Sequence, residues 1–170
     1  KLRKGKIQRQ RDLYSSSDAV FSAFKNKNFK KCLALLSDKI PMNDTLFLCY
    51  LGSLTEMNRF SQLSELINSR SVKDGYYHYL YGRMEYHKKN YSTAINKFIR
   101  ALTVRSFYKN LSYFIHFYIA KSKSAIFKKT PNNENRENMI KEFERFTTRF
   151  CKNPASNECN DILSMLDEYK

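Results

Sequence analysis

The sequence predicts an all-α protein built from antiparallel helix pairs. Three aromatic residues, Phe29, Phe60 and Tyr91, each follow a polar loop, and both intervals between them are 31 residues. Glycine and proline, which tight turns between strands require, occur only four and three times in 170 residues. A constant interval between similar patterns is typical of a repeat architecture.

The pattern after each aromatic residue predicts the second helix of a repeated pair. The positions three and seven residues further on are apolar in every copy, and offsets of 0, 3 and 7 share one face of an α-helix. We therefore expect the same helix face to be buried in each unit. These apolar residues are Cys32 and Leu36, Leu63 and Ile67, and Ala94 and Phe98.

The segments before the aromatic residues predict the first helix of each pair. They read SSDAVFSAF, NDTLFLCYLGSLTEM and DGYYHYLYGRMEYH. Asp18, Asp44 and Asp74 stand at or near the starts, where a carboxylate can accept from free amides and meet the positive end of the helix dipole. Gly52 and Gly82 occupy matching places, where the lack of a side chain lets the second helix approach closely.

The C-terminal part predicts a fourth pair and a capping helix. Residues 106–127 are apolar on nearly all sides, which indicates a buried or interfacial helix. Pro131 ends this pattern, and a helix with an aromatic face follows. Asn153 and Pro154 are typical of a helix start, and the last helix can cover the open end of the stack. The aromatic face carries Met139, Phe143, Phe146 and Phe150.

The third unit has small, aromatic and alanine residues at regular positions of its hairpin, namely Gly82, Tyr91, Ala94, Phe98, Ala101 and Leu102. In these residues it resembles a tetratricopeptide repeat (TPR), a helix–turn–helix of about 34 residues. The resemblance implies a right-handed superhelix of antiparallel helix pairs. The residues that it assigns to packing of the repeats are Phe29, Gly52, Phe60, Gly82, Tyr91, Ala94, Phe98 and Ala101.

The resemblance also implies that the first helix of each pair lines a partner groove. At the groove positions of the best-matched unit stand Tyr76, Tyr79, Arg83 and Tyr86. Such rings suit an apolar or aromatic helix, because they give large contact area at low rotamer cost. The alternative for some of these tyrosines is packing against the neighbouring repeat.

Residues 29–67 are similar to the N-terminal parts of the TPR scaffold subunits of the anaphase-promoting complex, a ubiquitin ligase. In both, a degenerate hairpin precedes a helix like TLFLCYLG. The similarity implies a homodimer made by the N-terminal repeats, with Val20, Phe21 and Phe24 as the inserted element. It therefore favours a non-catalytic, self-associating scaffold that holds protein partners in a multi-subunit assembly.

The net charge of +15 leaves a second reading open. Residues 1–14 form a basic lead-in with six Lys and Arg against one Asp, and residues 15–170 are predicted to form a single domain of about four helix pairs plus a capping helix. The alternative function is an RNA-associated TPR protein that binds ribonucleoprotein through its basic surface. A third is a peptide-groove adaptor that does not self-associate.

The sequence contains no recognisable catalytic constellation. A glycine-rich phosphate loop, a nucleophile elbow and HExxH are all missing. His78 and His87 are nine residues apart and do not share a helix face, as i, i+4 metal ligands would. We therefore expect no enzyme activity, no metal and no cofactor.

The cysteines and the hydropathy pattern bear on the compartment. Four cysteines at irregular spacings are interpreted as reduced thiols. No stretch approaches the roughly 18 uninterrupted apolar residues that would span a bilayer. The expected protein is soluble and intracellular, nuclear or cytoplasmic, without membrane contact. The cysteines are Cys32, Cys49, Cys151 and Cys159.

Overall fold

The computed structural model describes residues 17–36, 43–152 and 156–169, and over these ranges the chain is helical without a β-strand. The all-α prediction is confirmed for this part of the chain. The basic lead-in over 1–14 and the helix start at Asn153 and Pro154 lie outside the described residues. The helices are α1 (17–25), α2 (Phe29–Leu36), α3 (Asp44–Glu56), α4 (Phe60–Ile67), α5 (Gly75–His87), α6 (Tyr91–Thr103), α7 (Leu111–Lys129), α8 (Asn133–Phe150) and α9 (Asn157–Tyr169).

The chain divides between Val72 and Lys73 into two compact units. In the first unit, α3 packs against both α2 and α4. In the second unit, each helix from α5 to α8 packs against the next, while α5 also contacts α7 and α7 contacts α9. The second unit therefore has α5, α7 and α9 side by side in one layer, with α6 and α8 packed against them.

The second helices of the three pairs begin at the residues whose spacing defines the repeat. Helices α2, α4 and α6 start at Phe29, Phe60 and Tyr91. Three positions after each aromatic residue, Cys32, Leu63 and Ala94 are fully buried. Seven positions after Phe60 and Tyr91, Ile67 and Phe98 are fully buried as well. Leu36, the matching residue of α2, is only half-buried. The helix starts thus match the periodicity of the sequence, and the buried face matches it except at Leu36.

The three hairpin turns share one backbone geometry. Lys27, Asn58 and Lys89 have φ values of 56°, 56° and 63°, in the left-handed region. Each donates its N–H to the carbonyl three residues earlier, and the next N–H donates to the carbonyl five residues earlier, at 2.8 to 2.9 Å for the latter bond. This is the Schellman motif, which satisfies carbonyls that the end of a helix leaves free. The three turns therefore have the same φ region and the same hydrogen bonds.

Polar side chains fix the starts of the first helices. The Asp74 carboxylate caps α5 by accepting from the Tyr76 N–H at 2.7 Å, and its other oxygen accepts from the Phe107 N–H at 3.0 Å. At α3 the cap is Asn43, whose side chain accepts from the Thr45 N–H at 2.8 Å. Asp44 is the first helical residue of α3, and Asp18 lies exposed in α1.

At Gly82 the side chain of Phe98 in α6 packs closely against the backbone of α5. A Cβ atom at this position would lie 2.4 Å from Cε1 of Phe98, closer than real Cβ contacts allow. The ring of Phe98 therefore occupies the space that a side chain would need. Gly52, at the matching place in α3, is also buried.

The C-terminal helices share an apolar cluster, and α9 covers it. Its buried members come from α7, α8 and α9, so the last helix packs on the pair before it. The members are Ala120, Met139, Phe143, Phe146, Cys159, Ile162 and Leu166.

The prediction of four reduced thiols is wrong for one pair. Cys151 and Cys159 form a disulfide, with their Cα atoms 5.7 Å apart. The reason is that α9 folds back beside the end of α8, a proximity that the cysteine spacing alone does not reveal. Cys32 and Cys49 are free and buried. Burial, together with the nearby Cys32 thiol, raises the pKa of Cys49 to about 12, so this thiol is protonated at neutral pH.

The left-handed turn residues give a direct stability prediction. A side chain at positive φ costs roughly 1–2 kcal/mol, whereas glycine loses about 0.5–1 kcal/mol of conformational freedom. Lys89→Gly should therefore raise the free energy of unfolding by about 0.5–1 kcal/mol, measured by urea titration. The matched control is Lys88→Gly, because Lys88 has φ −72°. This control should destabilise the chain, and a stabilising effect there would contradict the explanation.

Candidate protein-interaction surfaces

The four predicted groove residues lie on one face of α5, which packs against α7 and the segment before it. Capping by Asp74 fixes the start of the helix. Side chains spaced by three and four residues then project from the same side, and those of Tyr79, Arg83 and Tyr86 contact Tyr118 of α7. These side chains are Tyr76, Tyr79, Arg83 and Tyr86.

Tyr76 and Tyr79 are core residues. They are 3% and 4% exposed, so the interpretation that they line an open groove is wrong. The ring of Tyr76 stacks on Tyr108 at 4.8 Å between centroids and meets the edge of Phe107 at 5.4 Å. Tyr79 packs against Tyr118 at 6.2 Å. Helix α7 and the segment before it cover this part of α5, as the alternative of repeat packing expects.

The rings of Tyr76, Tyr79, Tyr108 and Tyr118 form an aromatic cluster. Arg83 and Tyr86 are half-buried at the edge of this cluster. The Arg83 guanidinium lies 4.4 Å from the centroid of Tyr118 and donates to the Tyr79 hydroxyl at 2.9 Å. The Tyr86 ring lies 5.4 Å from Tyr118. Burial, followed by the nearby Tyr91 and Asp161, raises the pKa of Tyr86, so its hydroxyl stays neutral. These two residues are the part of the predicted groove that remains partly accessible.

A shallow groove of about 450 Å³ lies between α7 and α9. Its Glu158 carboxylate accepts from the Tyr113 hydroxyl at 3.3 Å, and Lys121 donates to Asp161 at 2.8 Å. The groove offers one ring, two amides and two carboxylates to a partner. Sequence reasoning missed it, although α9 carries four acidic residues and no Lys or Arg in a chain of net charge +15. The lining residues are Phe117, Asn157, Glu158, Asn160 and Asp161.

Two of the three predicted self-association residues are already buried within the chain. Val20 and Phe24 are 1% and 5% exposed, and the Phe24 ring meets Phe29 edge-on at 5.8 Å. Their interpretation as an inserted element is corrected, because they belong to the core of this hairpin. Phe21 is half-buried, with the Lys25 ammonium 4.5 Å from its ring centroid. It is the residue of the three that keeps accessible surface.

A buried charge network joins α7 to α8. Glu142 is 3% exposed and accepts from Lys123 at 3.0 Å, with Arg145 at 3.5 Å and the His116 ring at 3.4 Å. Burial alone would raise the pKa of Glu142. Hydrogen bonds from His116 and Lys123, and the charges of Lys123 and Arg145, outweigh burial and lower it to about 2. Glu142 is thus ionised and structural at neutral pH.

The histidines do not assemble a metal site in the described ranges. His78 has a buried Nδ1 without a hydrogen-bond partner, and burial, followed by the charges of Arg100 and Lys97, lowers its pKa. His116 contacts the single carboxylate of Glu142. No group of three His, Cys, Asp or Glu that could hold a metal ion exists among the residues described. In the same residues, no helix combines the length and the apolarity that crossing a membrane requires.

The resemblance to tetratricopeptide repeats stays a prediction from the sequence. Comparison with family models, with curated proteins and with solved structures gave no match. The repeated geometry is therefore the main guide to what the chain does.

The Glu142 network makes stability dependent on pH. The folded pKa of about 2 lies below the ordinary value of 4.5, so ionised Glu142 stabilises the fold above pH 4.5, and this contribution is lost as pH falls toward 2. The difference corresponds to about 3 kcal/mol. Glu142→Gln should lower the free energy of unfolding at pH 7 by about 1–3 kcal/mol and flatten its pH dependence below 4.5.

The matched control is Glu144→Gln, because Glu144 is exposed on the same helix. Urea titrations of both variants between pH 7 and pH 3 provide the comparison. Equal effects of the two substitutions would show that the buried network has no special role.

Proposed function

We propose that the chain is a non-catalytic scaffold for protein–protein interaction, built from TPR-like helix pairs. The observation that carries the proposal is the recurrence of one hairpin, with the same Schellman turn at Lys27, Asn58 and Lys89. Stacked hairpins contact mainly their neighbours and present extended surfaces, which such proteins use for recognition. The binding surfaces that we propose therefore lie along the helices.

Two surfaces suit a protein partner. The groove between α7 and α9 pairs the ring of Phe117 with the carboxylates of Glu158 and Asp161. The edge of the aromatic cluster adds Arg83 and Tyr86 in the same layer of helices. An aromatic ring beside amide and charged groups fits the polar rim of a protein interface, whereas small-molecule pockets are lined mainly by apolar side chains.

Self-association through the N-terminal hairpin is part of the proposal. It is supported by the resemblance of residues 29–67 to scaffold subunits of the anaphase-promoting complex, and a multi-subunit ubiquitin ligase is the assembly that we propose. Phe21 provides the accessible ring for such a contact, since Val20 and Phe24 are buried. The proposed contact thus involves Phe21 rather than all three residues that the sequence suggested.

A second candidate function is RNA association, and one observation favours it. Lys141, Arg145 and Arg149 are exposed and spaced by four residues, so they share one face of α8. Cations on one face can follow a phosphate backbone, and binding of this kind weakens steeply with salt. The basic stripe is defined by these three residues.

Self-association is tested by sedimentation equilibrium at tens of micromolar. The chain should sediment as a dimer, and Phe21→Glu should give monomer, because a buried carboxylate opposes an apolar contact. Ser22→Glu is the matched control, since Ser22 is exposed on the neighbouring position of α1, and it should remain dimeric. A monomeric unmodified chain would remove self-association from the proposal.

RNA association is tested with a fluorescent poly(U) oligonucleotide over a range of salt concentrations. Replacing the basic stripe by alanine should reduce the slope of log K against log salt by about 2, since each single-strand phosphate contact contributes roughly 0.7. The matched control replaces Lys25, Lys30 and Lys31, which are exposed in the first unit. An equal loss in both variants would point to net charge alone, and a flat salt response would eliminate RNA binding.

A further inference from the structure

Helix α9 follows α8 along the chain, packs on α7 and α8 through an apolar face and is cross-linked to the end of α8 by a disulfide. The disulfide joins Cys151, the C-cap residue of α8, to Cys159 in the first turn of α9. Besides Cys159, the residues Ile162 and Leu166 of α9 are buried, and Met165 and Tyr169 are partly buried against the same cluster. The disulfide thus adds a covalent constraint to this apolar packing.

The polar contacts of α9 lie near the surface. The Tyr113 hydroxyl is 2.7 Å from the Ser156 hydroxyl, just before α9 begins. The ion pair of Lys121 with Asp161 has side chains 29% and 45% exposed. Exposed pairs of this kind contribute little to stability. They orient α9 but do not replace a covalent link.

We infer that α9 is a redox-sensitive cap. Reduction of the disulfide by a thiol raises the fraction of molecules in which α9 has left the apolar face of α7 and α8. That face then becomes accessible, with Ala120 from α7 and Met139, Phe143 and Phe146 from α8. The inference goes beyond the proposed scaffold function, because it states a condition under which one surface opens.

The geometry also indicates how reduction proceeds. Cys159 is 1% exposed, whereas Cys151 is half-buried, so an external thiolate reaches the Cys151 sulfur. The bond between the two sulfurs breaks, a mixed disulfide forms at Cys151, and Cys159 leaves as a thiolate that takes a proton. A second external thiol attacks the mixed disulfide, which releases Cys151 and a disulfide of the external thiol. The two cysteines gain two electrons and two protons in total.

The size of the effect follows from the loop that the disulfide closes. The cysteines are separated by 8 positions in the sequence. The conformational freedom restored by opening a loop of this length corresponds to about a 50-fold increase in the detached population. The cap therefore responds measurably without unfolding of the whole unit.

Hydrogen exchange of the full chain tests the inference. The amides of α9 should exchange about 50-fold faster with dithiothreitol present than without it, while those of α5 and α6 keep their rates. The variant with Cys151→Ser and Cys159→Ser should exchange like the reduced chain and be insensitive to dithiothreitol. If that variant fails to fold, the unmodified chain with and without reductant still decides the question.

Thiol titration of the unfolded chain supplies the second measurement. Purified without reductant, the chain should show two titratable thiols, from Cys32 and Cys49, and four after reduction. Four thiols without reduction would overturn the inference. Equal exchange rates of α9 in the oxidised and reduced chain would overturn it as well.

Discussion

The left-handed residue at each hairpin turn is the constraint on which the repeated geometry depends. At Lys27, Asn58 and Lys89 the backbone reverses within three residues, and the first helix ends with its last carbonyls satisfied. Because the turn is short and hydrogen-bonded, the second helix must start at the aromatic residue two positions later. Its buried face is then aligned with the first helix, where Gly82 gives Phe98 the space that it needs in the third pair. Local backbone geometry thus determines the packing of each pair.

Aromatic packing determines which surfaces remain for recognition. Tyr118 of α7 contacts Tyr79, Arg83 and Tyr86 of α5. The ring of Tyr76 stacks on Tyr108, in the segment before α7. This cluster closes most of the face that the repeat pattern assigns to a partner. The surface that remains accessible to a partner lies in the groove between α7 and α9 and on the outer faces of the helices. The same packing that stabilises the second unit therefore limits where it can bind.

Much of the fold could be predicted from the sequence, and the candidate surfaces much less. Helix starts and buried faces depend on local spacing, which is why Phe29, Phe60 and Tyr91 were recognisable. The turn residues are lysine and asparagine rather than glycine, so the sequence did not indicate their left-handed geometry. Burial of Tyr76 and Tyr79, the Cys151–Cys159 disulfide and the groove at Phe117 all depend on how α7 and α9 pack, and side-chain periodicity within one helix does not encode that packing.

One hairpin geometry occurs three times at a constant interval in the described residues. NMR backbone chemical shifts and coupling constants at Lys27, Asn58 and Lys89 test it most directly, because they report φ at each turn independently. We expect left-handed φ at all three residues, each flanked by helical chemical shifts on both sides. A right-handed helical φ at these positions, with helix running through the turns, would contradict it.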